Sequence, residues 1–191
     1  MNLPNAITFA RILLVPAIIW LILSGADGLA LALFFVAGVS DALDGFLAKR
    51  LHAQTRVGAY LDPMADKALL VSLYVTLGLQ HRLDTWLVIL VVSRDILIVG
   101  AVILAALLGA SLKIAPLYVS KINTTFQILL AGLVLTVPVI TLDLTHLVFG
   151  LTLLVALSTV VSGFAYLRFW VEAVSTSDGS GSNGKSETPR P

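Results

Sequence analysis

Long apolar stretches, separated by short polar breaks, occupy most of this sequence. A membrane-spanning helix needs about 17–25 mostly apolar residues. The chain is 58% hydrophobic and 12% charged, and soluble domains carry about twice that charged fraction. We therefore predict an all-α, polytopic membrane protein. Its six transmembrane helices are predicted at residues 7–23, 29–47, 61–79, 85–108, 119–139 and 144–170.

The composition changes abruptly after Val174. The last segment reads STSDGSGSNGKSETPRP, which is rich in Ser and Gly and has no large apolar residue. Such a segment cannot bury enough surface to fold. We predict one membrane-embedded domain over residues 1–174 and a disordered polar tail over residues 175–191, with the first apolar stretch retained as a helix rather than removed as a signal peptide.

Charge and cysteine content narrow the possible functions. The net charge is only +1, so a nucleic-acid partner is not expected, and the chain has no cysteine for disulfide or thiolate chemistry. Most basic residues fall on the side of the membrane that holds both termini, whereas the opposite loops contain only Arg82. By the positive-inside rule, both termini and the 48–60 loop should be cytoplasmic. A bacterial inner membrane is the expected location.

Four of the eleven acidic residues fall within 26 positions, where the second predicted span ends and the third begins. They are Asp41, Asp44, Asp62 and Asp66. Spacings of three and four put each pair on one helix face, and the short loop between them should bring the pairs together. Carboxylates packed this closely repel one another, so they should take up protons or bind hard cations such as Mg²⁺. Two such ions would balance the four charges and would suit a displacement at phosphorus.

Small and basic residues accompany the carboxylates. Gly45, Ala48 and Gly58 would let a ligand or a backbone approach closely. Lys49 and its basic neighbours could steady a pyrophosphate. The residues alone leave a second interpretation open, because a transporter of cations or protons would also use carboxylates within a membrane.

The spacing of these residues resembles the signature of the CDP-alcohol phosphatidyltransferase family. That signature reads D-x-x-D-G-x-x-A-R, eight residues, then G-x-x-x-D-x-x-x-D. The chain matches its four aspartates, both glycines and the alanine, and differs at Lys49, where the family has Arg. Lysine keeps the positive charge but lacks the two-pronged guanidinium.

The resemblance implies roles for individual residues. Asp41, Asp44 and Asp62 would bind metal, and Asp66 would both contact metal and act as general base. The metal would be Mg²⁺ or Mn²⁺, as two ions. The segment Asn5-Ala-Ile-Thr8-Phe-Ala-Arg11 is similar to an N-terminal element of the family. The residues expected to contact the nucleotide or its lipid are Thr8, Arg11, Gly45, Ala48, Lys49, Thr55 and Gly58.

The implied reaction transfers a phosphatidyl group from CDP-diacylglycerol to an alcohol, with release of CMP. Two branches of the family fit: one uses glycerol 3-phosphate and the other, cardiolipin synthase, uses phosphatidylglycerol. Both acceptors are retained, with membrane lipid as the surroundings and a homodimer as a possible assembly.

Two further cations could bind an anionic acceptor. Arg94 lies beside Asp95 within the fourth span, and Lys121 lies at the start of the fifth. We predict both as acceptor-binding residues. The alternative is that Arg94 and Asp95 pair with each other or serve packing, although adjacent helix positions point apart. Lys67, next to Asp66, is expected to tune the local charge.

Overall fold

The computed structural model describes the backbone of residues 3–51, 56–107 and 118–179, and the side chains of residues 12–40, 67–100 and 118–168. These ranges contain six α-helices, one for each predicted apolar span. The all-α class is therefore confirmed over the described backbone. The helices are α1 Leu3–Leu23, α2 Asp27–Leu51, α3 Arg56–Leu79, α4 Thr85–Leu107, α5 Tyr118–Thr136 and α6 Thr145–Gly179.

Helix ends differ from the predicted spans where helical backbone continues beyond the apolar run. The helix α2 extends to Leu51 and α3 begins at Arg56, so both continue into the polar segment between the two spans. The helix α5 ends at Thr136, two residues before Pro138, because proline disfavours helical backbone at the residue before it. The backbone of α6 reaches Gly179, inside the segment assigned to the tail, and residues 180–191 lie outside the described ranges.

The helices pack around a buried apolar core. The helix α1 lies against α2 and α3, α5 lies against α2, α3 and α6, and α4 packs on α3 and α6. Every helix contributes to this core, so the bundle is one unit. Its main residues are Ile18, Ile22, Phe34, Leu73, Tyr74, Leu77, Leu87, Val91, Leu130, Leu135 and Val155.

The outer surface of the bundle is also apolar over the described residues. Trp20, Leu97 and Phe164 are between 65% and 71% exposed, together with many other large apolar side chains. An exposed apolar surface this extensive requires apolar surroundings. Two helical segments, Tyr118–Thr136 and Thr145–Arg168, are long and apolar enough to cross a membrane. The segments Ile12–Leu23, Asp27–Ser40 and Lys67–Leu79 are apolar but shorter.

The turns that end α1 and α3 are alike and are joined by an ion pair. Each turn contains a residue with positive φ, which is Gly25 at 76° in one and His81 at 55° in the other. The guanidinium of Arg82 donates two hydrogen bonds, of 2.5 and 3.1 Å, to the carboxylate of Asp27. This two-pronged pair fixes the two turns together and neutralises Arg82.

Gly78 lets α3 and α4 approach closely beside the second turn. A Cβ built on Gly78 would lie 2.9 Å from Cγ2 of Val88. The side chain of valine is stiff at χ1, so it cannot easily move aside. A glycine is required here by the contact with α4 rather than by the backbone conformation.

We predict that Gly78→Ala lowers the melting temperature of the purified protein. Overpacking of this kind costs about 1–3 kcal/mol, which outweighs the gain of up to about 1 kcal/mol from the better helix propensity of alanine. Scanning fluorimetry in detergent measures the change. Gly150→Ala is the matched control, because a Cβ there would meet nothing within 4 Å. Val88→Ala should rescue Gly78→Ala, and a double variant no more stable than the single one would contradict the steric explanation.

Candidate active site

The four aspartates of the motif lie on continuous helical backbone. Asp41 and Asp44 belong to α2, and Asp62 and Asp66 belong to α3. Their spacings of three and four are therefore helical spacings, as the sequence analysis assumed. The four side chains lie outside the described set, so the predicted convergence of the carboxylates stays a prediction. Among the residues whose side chains are described, no group of three His, Cys, Asp or Glu residues could hold a metal ion.

The residues predicted to contact the nucleotide are placed only by their backbone. Thr8 and Arg11 lie on α1, the group Gly45, Ala48 and Lys49 on α2, and Gly58 on α3. Thr55 falls between α2 and α3, outside the described backbone. Their roles remain predictions.

An ion-pair network begins one residue after Asp66. The Nζ atom of Lys67 on α3 lies 2.8 Å from Oδ1 of Asp95 on α4. The same oxygen lies 2.6 Å from Nη1 of Arg94. The side chains of Arg94 and Asp95 are only 4% and 3% exposed, whereas that of Lys67 is 30% exposed. Two cations therefore share one buried carboxylate, and the formal charge of the network is +1.

Arg94 carries the network on to the last two helices. Its Nη2 donates a 2.8 Å hydrogen bond to Oγ of Ser120 on α5 and a second hydrogen bond to Oγ of Ser162 on α6. The guanidinium also lies 5.8 Å from the ring centroid of Tyr166, within reach of a cation–π interaction. The side-chain stem of Arg94 passes Gly163, where a Cβ would lie 4.0 Å from Cγ of the arginine, an ordinary contact distance.

The two predicted acceptor-binding residues differ in their surroundings. Arg94 is buried and engaged by Asp95 and the two serines, which is the pairing that the sequence analysis kept as its alternative. The expectation that neighbouring positions pair poorly is wrong here, because the long arginine side chain reaches the adjacent carboxylate. Lys121 is exposed, with Nζ 5.9 Å from the ring centroid of Tyr118. Neither arrangement tests acceptor binding, which stays a prediction for both residues.

A second polar cluster joins α5 to α6 farther along the bundle. Oδ1 of Asn123 accepts hydrogen bonds from Ser158 and Thr159, at 2.8 and 2.9 Å. One turn further on, Gln127 is buried and its backbone oxygen accepts a 3.1 Å hydrogen bond from the hydroxyl of Tyr74. Asn123 is fully buried as well. Polar side chains thus connect α3, α5 and α6 inside an apolar bundle.

Several buried polar atoms in these clusters have no hydrogen-bond partner among the described residues. They are Nε of Arg94, Nδ2 of Asn123, and both Nε2 and Oε1 of Gln127. An unsatisfied buried donor or acceptor costs about 1–3 kcal/mol, and buried waters commonly satisfy such groups. These atoms mark where water or a polar ligand would be stabilised inside the bundle.

The polar partners that α5 and α6 contribute to these clusters were not predicted from the sequence. Ser120, Asn123 and Gln127 recur at intervals of three and four along α5. Thr159, Ser162 and Tyr166 do the same along α6. These are helical periods that put each set on one face. That periodicity was the signal for a polar seam between two otherwise apolar helices.

These features define a membrane-associated helical protein with an acidic motif next to a buried ion-pair network. Comparison with known proteins gives the family. The family model described as CDP-alcohol phosphatidyltransferase matches residues 1–164. The chain belongs to the CDP-alcohol phosphatidyltransferase family, so the family predicted from the motif is confirmed.

Individual relatives include proteins named for either acceptor. A CDP-diacylglycerol–glycerol-3-phosphate 3-phosphatidyltransferase of Bacillus subtilis is 32% identical over 93% of this chain and 99% of its own length. A cardiolipin synthase (CMP-forming) of Homo sapiens is 30% identical over 88% of this chain and 61% of its own length. A cardiolipin synthase and mitochondrial hydrolase fusion protein of Schizosaccharomyces pombe is 32% identical over 86% of this chain. The chain spans 30% of the length of that fusion protein and less than two thirds of several other relatives.

We predict that Asn123→Ala destabilises the bundle by about 1–3 kcal/mol, because two hydroxyl groups lose their shared acceptor and a small cavity opens. Unfolding in a denaturing detergent, followed by circular dichroism, measures the loss. Thr125→Ala is the matched control, since the hydroxyl of Thr125 bonds only to the carbonyl of Lys121 in its own helix. Equal stability of the two variants would show that the Asn123 cluster does not hold α5 against α6.

Proposed function

We propose that the protein catalyses metal-dependent transfer of a phosphatidyl group from CDP-diacylglycerol to an alcohol, with release of CMP, in phospholipid biosynthesis. Family membership over residues 1–164 is the observation that carries this proposal. It is supported by the four aspartates of the family motif, which lie on α2 and α3 at helical spacing. The relatives' names, which include both a phosphatidyltransferase and a CMP-forming synthase, point to the same reaction.

The donor set fits the divalent metal that such a reaction needs. Asp41, Asp44, Asp62 and Asp66 supply carboxylate oxygens, the ligands that Mg²⁺ and Mn²⁺ prefer. Four negative charges would be balanced by two divalent ions. Bound there, such ions would neutralise phosphoryl oxygens and the leaving phosphate.

The protein's own groups would bind, orient and move a proton. Asp66 accepts the proton of the acceptor hydroxyl. The acceptor oxygen forms a bond to the β-phosphorus of CDP-diacylglycerol, the bond from that phosphorus to the bridging oxygen breaks, and CMP leaves with the electron pair. The nucleotide and its lipid would be held by Lys49 and Arg11 as cations, by Thr8 and Thr55 as hydroxyl donors, and beside Gly45, Ala48 and Gly58, where small residues leave space.

All six helices are proposed to cross the membrane, with both termini and the active site on the cytoplasmic side of a bacterial inner membrane. The apolar outer surface of the described residues supports this proposal. The ion pair of Arg82 with Asp27 also supports it. Arg82 is the one Lys or Arg residue in the loops predicted to lie outside the cytoplasm, and the pair neutralises its charge. A homodimer is the proposed assembly, by likeness to the family alone.

The charges of the described residues favour phosphatidylglycerol as the acceptor. Arg94 and Lys67 both pair with Asp95, so the charge of Arg94 is already partly compensated within the protein. Lys121 is the exposed cation of the predicted pair, and Nε–H is the donor of Arg94 without a described partner. A phosphodiester with a single charge needs fewer cations than a phosphomonoester dianion.

Glycerol 3-phosphate is the second candidate acceptor, and a separate observation favours it. The relative from Bacillus subtilis named for glycerol 3-phosphate matches this chain over 99% of its own length. The two acceptors would leave the chemistry at phosphorus unchanged.

We predict that the purified protein releases CMP from CDP-diacylglycerol and Mg²⁺ when one of the two acceptors is added, and that EDTA stops the release. Asp66→Asn should reduce the rate by about 10²- to 10⁴-fold, because the general base is lost. Asp143→Asn is the matched control, since that carboxylate is exposed in the connection between α5 and α6. No release with these two acceptors or with any other alcohol tested would contradict the enzyme and favour the cation or proton transporter.

We also predict that Lys121→Gln raises the KM for the acceptor by about three- to tenfold, as expected for loss of one exposed contact between a cation and a phosphate. The KM for CDP-diacylglycerol should not change. Steady-state kinetics with each substrate varied in turn measure both constants. Arg168→Gln removes another exposed cation, from α6, and serves as the control. An unchanged acceptor KM in Lys121→Gln would exclude Lys121 from the acceptor site.

A further inference from the structure

Lys67 ties the helix that carries Asp62 and Asp66 to its neighbours. It follows Asp66 directly on α3, and its ammonium lies 2.8 Å from a carboxylate oxygen of Asp95 on α4. Through that oxygen it is linked to Arg94, and through Arg94 to Ser120 on α5 and Ser162 on α6. One chain of polar contacts therefore connects α3 to three other helices.

A tie at this position constrains the motif geometrically. Residues 62, 66 and 67 lie within two turns of one helix, so a rotation of the backbone at Lys67 also moves both aspartates. A rotation of α3 by about 20° would move a carboxylate at the rim of a helix of about 6 Å radius by about 2 Å. A displacement of even 1 Å can cost about 10²-fold in rate when reacting groups must be aligned.

Stability alone does not account for the network. Replacing a whole buried ion pair by apolar side chains of similar volume is often neutral or stabilising. The buried network of Arg94 and Asp95 instead fixes the relative orientation of the helices, because each hydrogen bond joins one particular donor to one particular acceptor. Lys67 is the more exposed member of this network, with 30% of its side chain exposed against 3% for Asp95.

We propose that Lys67, Asp95 and Arg94 are positioning residues, which fix the rotation and height of α3 so that Asp62 and Asp66 meet their divalent cation in the productive arrangement. This inference rests on the proposed function for its consequence in catalysis. Its structural part, the placement of the cation-binding carboxylates, can be measured without any turnover.

The decisive variant is Lys67→Met, which leaves Asp95 paired with Arg94 and removes the ion pair that joins α3 to α4. We expect kcat for CMP release to fall by about ten- to a hundredfold, with the KM for CDP-diacylglycerol changed by less than about threefold. Mn²⁺ affinity, measured without substrate from the electron paramagnetic resonance signal of the free ion, should fall by about tenfold. Lys67→Arg should restore most of both, because a guanidinium can also reach Asp95.

The direction of the Mn²⁺ change separates positioning from simple electrostatics. If Lys67 only adjusted the local charge, its removal would take a cation away from the carboxylates and raise their affinity for Mn²⁺. If Lys67 positions Asp62 and Asp66, its removal would instead lower their affinity for Mn²⁺. Asp27→Asn is the control, because it breaks the pair with Arg82 about 20 Å along α2 from Asp41. That variant should lower the melting temperature and leave kcat and Mn²⁺ affinity unchanged.

Folded Lys67→Met protein with kcat and Mn²⁺ affinity within twofold of the wild type, or with raised Mn²⁺ affinity, would overturn the proposal. If Lys67→Met does not fold, Asp95→Glu takes its place, since it keeps the charge and lengthens the carboxylate by one methylene. It should lower the same two quantities, and unchanged values would again overturn the proposal. A wild-type protein that releases no CMP would contradict the proposed function, whereas the Mn²⁺ measurement would still decide the positioning.

Discussion

The buried carboxylate of Asp95 must be neutralised, and the contacts that neutralise it connect α3, α4, α5 and α6. Asp95 is 3% exposed and lies in surroundings where an isolated charge is expensive. It is compensated at 2.8 Å by Lys67 and at 2.6 Å by Arg94. Nη2 of Arg94 in turn donates hydrogen bonds to hydroxyl groups from α5 and α6. The need to pair one charge thus brings four helices into a fixed relation.

The remaining contacts between helices follow from the same apolar surroundings. Where lipid surrounds a bundle, the hydrophobic effect does not drive helices together, so close packing and hydrogen bonds do. Close packing is found where Gly78 meets Val88, and where a Cβ on Gly132 would lie 3.4 Å from Phe34. Hydrogen bonding is found where Asn123 joins α5 to α6.

How much of the fold could be predicted from the sequence depends on which property of the sequence determines each feature. The number of helices and their approximate limits followed from the apolar runs, because composition decides which segments can face lipid. The C-terminal end of α2 and the N-terminal end of α3 extend beyond the predicted apolar spans. Helical backbone satisfies its own hydrogen bonds and can therefore continue into polar sequence. Proline ended α5 earlier than the apolar run did. Apolarity alone therefore predicts the number of helices better than the residues at which they end.

The site was predictable in its residue types and less so in its contacts. The four aspartates were found from spacing, and their backbone is helical as expected. Pairing of Arg94 with Asp95 was judged unfavourable from backbone directions, but flexible side chains decide pairing in a buried site. Lys67 was assigned a local electrostatic effect, and its partner on α4 could not be read from one sequence. Contacts between helices depend on their relative rotation, which spacing along one helix does not contain.

The partner of Lys67 also matters for what the motif can bind. An ammonium next to Asp66 could itself neutralise one of the aspartates and so compete with a divalent cation. In the structure the ammonium of Lys67 lies 2.8 Å from the carboxylate of Asp95. A cation already compensated by its own carboxylate offers less to neighbouring ones. In the proposed arrangement, Asp95 on α4 would therefore act in two ways: it would hold α3 in place, and it would compensate the charge of the lysine next to the aspartates that are proposed to bind metal.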